Sequence, residues 1–135
     1  MNLNKSSRYA LHSMVELARS AGQPITVGWI ASRFEIPETA LAKVLQQLVR
    51  AGLVRGVRGM GGGYQLARAP STVSVQDVID VFEPPGPADT CQLKDIPGTA
   101  CPDVQPECRL RSLFDEVDET LRATFGSVTL DTLSR

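Results

Sequence analysis

Thr26–Gly52 reads TVGWIASRFEIPETALAKVLQQLVRAG, and this stretch decides the fold. Thr26 can cap a short helix whose apolar residues are Ile30, Ala31 and Phe34. The sequence EIPE then makes a turn, and Pro37 sits well in the first turn of a new helix. Leu41, Val44, Leu45, Leu48 and Val49 give that second helix one apolar stripe, and Gly52 closes it. Two short helices joined by a tight turn, the second of them amphipathic, form a helix-turn-helix pattern.

Working outward, LVRGV and YQLA, at 53–57 and 64–67, are short strand candidates. Gly59, Gly61, Gly62 and Gly63 make the link between them a tight hairpin. A helix-turn-helix followed directly by a hairpin is a winged-helix arrangement. Upstream, residues 6–20 predict a helix with Leu11, Met14, Val15 and Ala18 on its buried face and Ser6 or Ser7 as its cap. Downstream, SVQDVIDVF predicts a helix capped by Ser74, with Val75, Val78, Ile79 and Phe82 on one face, ended by EPPGP.

The remaining third has a different character. Residues 84–106 hold six prolines and little apolar periodicity, and a loop of that length is usually functional or disordered. All three cysteines of the 135-residue chain, Cys91, Cys101 and Cys108, lie within eighteen residues at a C-x9-C-x6-C spacing. That spacing lacks the paired CxxC knuckles of structural zinc sites. Three thiolates on a proline-stiffened loop can hold an iron–sulfur cluster or another metal, or can act as redox thiols without metal. A fourth ligand is missing from the loop's cysteines; Asp95, Asp103 and Glu107 are nearby donors. Residues 107–125 predict a long helix with Leu110, Leu113, Phe114, Val117, Leu121 and Phe125 in a wide apolar stripe. This exceeds what a small domain needs and is expected to pack on a second subunit. The fold expected is therefore mainly α with a small β-wing. It comprises a winged helix-turn-helix domain at 1–83, a cysteine-rich cluster-binding loop at 84–106, and a dimerisation helix and C-terminal tail at 107–135.

Charge patterning points the winged helix at nucleic acid. The formal net charge is −1, but residues 33–68 carry six basic and two acidic side chains, whereas residues 84–135 carry five basic and nine acidic ones. Phosphate binding follows the local field rather than the net charge. The second helix would enter the major groove with Thr39, Ala40, Lys43 and Gln47 facing the duplex. Lys43 is suited to a guanine or a phosphate, Thr39 to a phosphate and Ala40 to a thymine methyl. Arg55 and Arg58 flank the wing and suit a narrow minor groove; Arg33, Gly59, Gly61 and Tyr64 complete the expected DNA-binding set. No apolar run approaches the roughly 18 residues of a membrane span, and MNLNKSSRYALHS has no signal-peptide core, so a cytoplasmic protein is expected. An enzyme is not: one histidine sits on a helix, no nucleophile motif occurs, and GMGGG lacks the lysine and hydroxyl residue of a phosphate-binding loop.

RYALHSMVELA near the start, RGMGGGYQLAR at the wing, the three-cysteine loop, the long last helix and the closing VTLDTL together resemble the IscR/NsrR-type regulators, the Rrf-two family of winged-helix transcription factors. The resemblance covers essentially the whole chain. It implies a homodimeric, DNA-binding regulator, expected to be a repressor, whose last helix crosses to the partner. It also implies Cys91, Cys101 and Cys108 as ligands of an iron–sulfur cluster, expected to be 2Fe–2S rather than 4Fe–4S. The cysteine spacing is wider than the x5, x5 pattern of those groups. Arg111 stands where IscR-like proteins carry a ligand histidine, and Arg8 where NsrR-like proteins carry an acidic ligand. His12, one turn after Arg8, becomes the candidate fourth ligand, supplied across the dimer. Met60 replaces a common proline in the wing, and Ala40 and Ala42 are smaller than their IscR counterparts, so no known operator sequence is inherited.

Overall fold

The computed structural model describes residues 3–83, 91–93, 96–100 and 108–135. The chain divides into two compact units, Met1–Pro84 with Phe125–Arg135, and Pro85–Thr124.

In the first unit, α1 (Lys5–Arg19) is capped by Asn4, whose side chain accepts the Ser7 N–H. The cap is thus two or three residues earlier than the serines at 6 and 7. The phase of the helix also differs from expectation. Ser7, Ala10, Ser13, Met14, Glu16 and Leu17 are its buried residues, while Leu11, Val15 and Ala18 are only half-buried. Two serines on the inner face hid it from a hydrophobicity reading. Both are satisfied: Ser13 Oγ donates to the Tyr9 carbonyl at 2.8 Å and Ser7 Oγ to the Glu83 carboxylate at 2.6 Å.

The helix-turn-helix forms as expected. Thr26 caps α2 (Val27–Phe34) by accepting the Trp29 N–H at 3.1 Å. Pro37 is the residue just before α3 (Glu38–Arg50), one place earlier than its expected position inside the helix. Leu41, Val44, Leu45 and Leu48 of α3 are buried with Met14, Leu17 and Ile30 in one core. Gly52 follows α3 at φ 79°, the left-handed turn that ends such helices. Strands β1 (Val54–Val57) and β2 (Gly63–Leu66) pair antiparallel with Val54 opposite Leu66 and Val57 opposite Gly63. Ile25 adds an isolated bridge to Tyr64, a third strand reduced to one residue and too short to leave a pattern in sequence. A 3-10 turn (Pro70–Thr72) leads into α4 (Val75–Phe82), which Ser74 and Asp77 close with a reciprocal capping box.

The closing residues belong to this unit rather than to a separate tail. Thr129 bridges Ser74, the Val128 carbonyl accepts the Val75 N–H at 2.9 Å, and Leu130, at the start of α6 (Leu130–Leu133), is fully buried in the core. The second unit contains most of α5 (Arg109–Ser127). This helix starts two residues later and ends two later than the sequence periodicity suggests. No residue of α5 is buried, although its stripe includes Leu110, Leu113, Phe114 and Val117, exposed to 54, 52, 37 and 48 %. Among the described residues, no helix is long and apolar enough to cross a membrane.

Candidate nucleic-acid interface and thiol segment

The outer face of α3 follows from its buried one. With Leu41, Val44, Leu45 and Leu48 inward, the helical repeat turns Thr39, Lys43, Gln46 and Arg50 outward, and all four are exposed. Two of these, Thr39 and Lys43, belong to the expected DNA-binding set. Ala40 is half-buried at the edge of the face. Gln47 is exposed but lines a recess with Arg50, Ala51, Asp77, Asp80 and Val81, on the side where α4 lies. Gln46, which sequence reading passed over in favour of its neighbour, is the residue that joins α3 to the wing. Its Nε2 donates to Tyr64 Oη at 2.9 Å. Only the phase of α3 could have revealed it, since Gln46 and Gln47 are chemically the same.

The wing is built by close backbone approach. A Cβ on Gly62 would lie 2.4 Å from the Val57 carbonyl oxygen, and one on Gly63 would lie 2.4 Å from that of Ile25. Arg58, Gly59 and Gly61 are exposed at its turn, with Met60 projecting fully into solvent.

Two residues of the expected DNA-binding set, Arg33 and Arg55, are exposed and also make contacts within the chain. Arg33 Nε donates to Glu16 Oε1 at 3.2 Å, and its guanidinium lies 5.7 Å from the Trp29 ring centre and 5.6 Å from that of Phe34. Arg19 Nη1 joins the same carboxylate oxygen at 3.1 Å. Glu16 is buried, so the two arginines supply the charge balance that burial demands. Arg55 sits opposite Gln65 in the hairpin. With the Gln65 amide oriented to donate to the Gly22 carbonyl, its oxygen accepts Arg55 Nη2 at 2.8 Å and Nε at 2.6 Å. Charge runs in a sequence do not distinguish arginines that buttress a fold from those that face a ligand.

Of the thiols, Cys91 and Cys108 are half-buried, while Cys101 lies outside the described residues, as do Asp95, Asp103 and Glu107. Cys108 immediately precedes α5, and its Sγ accepts the Arg111 N–H at 3.4 Å, so the sulfur occupies the place of a helix cap. Between the cysteines, the Thr99 hydroxyl is 3.0 Å from the Leu93 carbonyl oxygen and 2.7 Å from that of Ile96, fastening a tight turn. His12 is exposed on α1 with its ring 5.2 Å from that of Phe34. Among the described residues, no three His, Cys, Asp or Glu side chains come together as a metal site. The chemistry of the donors nonetheless suits a thiolate-bound cluster. Cys91 and Cys108 are half-buried thiols, and Cys108 Sγ receives a backbone N–H of the kind that tunes cluster sulfurs.

Comparison with known proteins agrees with this geometry. The Rrf2 family model, described as "Iron-dependent Transcriptional regulator", matches residues 3–135. The BadM protein of Rhodopseudomonas palustris is 35% identical over 133 residues, covering 98% of this chain and 81% of that one. The solved structure of CymR, the global cysteine regulator of Bacillus subtilis, aligns with a TM-score of 0.80 at 29% identity over 99% of this chain and 96% of that one. That of T. potens IscR aligns with a TM-score of 0.76 at 28% identity over 98% and 85%.

Proposed function

The chain belongs to the Rrf2 family of transcriptional regulators, and from that premise we propose that it is a homodimeric repressor whose hold on DNA is set by an iron–sulfur cluster. It is a DNA-binding regulator and not an enzyme. In the finer reading, α3 enters the major groove through Thr39, Lys43 and its neighbours, and the wing turn at Arg58, Gly59 and Gly61 lies along the minor groove. Cys91, Cys101 and Cys108 hold the cluster, of 2Fe–2S type, with His12 supplied from the second subunit. The protein works in the cytoplasm.

The observation that carries this reading is the construction of α5. The helix begins at the residue after Cys108, buries none of its residues, and carries an unpartnered apolar stripe. A thiol and a dimer surface thus share one rigid rod. What the sulfur binds, or whether it is oxidised, is passed to the packing of the helix behind it. Through the dimer this reaches the spacing of the two recognition helices, which must suit half-sites about one DNA turn apart. Bound there, the cluster supplies a centre that reacts with oxidants and nitric oxide. The chain's own residues hold it, shield it and couple it to the helix. A shift of about 1.4 kcal/mol in the preferred dimer arrangement already changes DNA binding tenfold.

A second reading has one observation in its favour: the likeness to CymR, named a global cysteine regulator. In that reading the thiols form a metal-free oxidation switch or hold zinc. Anaerobic purification, a visible absorption spectrum and counts of iron and acid-labile sulfide per chain separate the two. A coloured protein with near-equal iron and sulfide, lost in Cys108→Ala with the helical content retained, supports the cluster. A colourless, iron-free protein moves the assignment to the thiol or zinc switch.

A further inference from the structure

On the exposed face of α3, Gln46 differs from Thr39 and Lys43 in being fixed to the wing. Its Nε2 donates to Tyr64 Oη at 2.9 Å. The Tyr64 backbone is itself held: its N–H donates to the Ile25 carbonyl at 2.7 Å and its carbonyl accepts the Ile25 N–H at 2.9 Å. Gly63 before it fits against Ile25 with no space for a side chain. A chain of constraint therefore runs from Ile25 through Tyr64 to an amide on the face that meets the duplex. A glutamine on an open helix face samples many rotamers, and ordering it opposes binding. Here the bond to Tyr64 narrows that set before DNA arrives.

One amide N–H of Gln46 is used on Tyr64. The carbonyl oxygen and the second N–H remain, and that acceptor–donor pair matches N6–H and N7 of adenine in the major groove. The Tyr64 hydroxyl, having accepted from Gln46, keeps its own proton for a phosphate oxygen. We propose that Gln46 is a specificity-determining residue that reads an adenine in each half-site, and that Tyr64 is the positioning residue that orients its amide. This rests on the DNA-binding reading above and names the base-reading side chain within it.

The test is selection of binding sites from a random duplex library by the full chain, purified anaerobically, alongside Gln46→Ala, Gln46→Met and Tyr64→Phe. Gln46→Met keeps the length of the side chain without the amide. Both Gln46 variants are expected to lose the preference at a single A·T pair per half-site. They should bind the wild-type site roughly ten- to hundredfold more weakly. Their affinity should match wild type once that pair is replaced, with an unchanged salt slope. Tyr64→Phe is expected to weaken discrimination at the same pair several-fold, move no other position and leave the melting temperature in place. Variants at Gln46 that select the wild-type site, or that lose a preference for G·C, overturn the proposal. So does a uniform loss over all sequences with a salt slope lower by about one, the mark of a phosphate contact. Unchanged discrimination in Tyr64→Phe overturns the positioning role. A wild-type chain that selects no duplex overturns the DNA-binding reading as well, a failure visible before any variant is compared.

Discussion

Gly63 illustrates how much one position can hold. Its φ of 146° and the 2.4 Å that would separate an added Cβ from the Ile25 carbonyl oxygen leave no side chain a place. Gly63→Ala is expected to lower stability by at least about 2 kcal/mol and to speed hydrogen exchange at the Ile25 and Tyr64 amides. A urea midpoint and exchange rates equal to wild type would show that the wing is not pinned there. The glycine run was legible in the sequence as a hairpin, but the reason for this particular glycine was not, because Ile25 lies far upstream. The same holds for Glu83. Its two carboxylate oxygens accept the Asn4 N–H at 3.1 Å and the buried Ser7 hydroxyl at 2.6 Å, contacts that span 79 and 76 residues. Glu16 is the third case: a single carboxylate in an amphipathic helix reads as a solvated residue until Arg19 and Arg33 are seen to close on it.

At the scale of elements, periodicity identified every long helix and both paired strands. It failed where an element is too short to repeat or where polar residues face inward. The α1 face was misphased because Ser7 and Ser13 occupy core positions, and a buried hydroxyl with a partner is compatible with a core that a hydropathy pattern would not choose. The four-residue α6 gave no helical signal, yet it returns Leu130 to the centre of the first unit, where it is fully buried. Leu130→Ala is expected to cost about 3 kcal/mol, within the range for large-to-small substitutions in a closed core, read from the urea unfolding midpoint. An effect below about 1 kcal/mol would mean that the C-terminal turn is an accessory rather than part of the core. Of the candidate interface, the exposure of Thr39, Lys43 and the wing turn was legible from the amphipathic stripe and the glycines. Gln46, and the internal duties of Arg33 and Arg55, needed the packed structure.

For the molecule as a whole, the unresolved energy lies along α5. Four large apolar residues there stand between 37 and 54 % exposed, a row that in water favours association through burial of apolar area. If α5 forms the proposed dimer, Leu113→Asp shifts the protein from dimer to monomer in sedimentation at micromolar concentration. It should weaken operator binding at least tenfold, because two tethered half-site contacts become independent. A variant that stays dimeric would place the subunit interface elsewhere. Trp29 in the first unit makes contact of the wing with DNA observable. Trp29 is the chain's single tryptophan; it is half-exposed, lies under the Arg33 guanidinium, and shares a cleft with Gly61 and Gly62 of the wing. The protein thus carries its own fluorophore, with a nearby cation and a neighbouring hairpin to perturb it. Seating of the wing on a duplex would register in the intrinsic emission of unlabelled protein, in real time and without any dye.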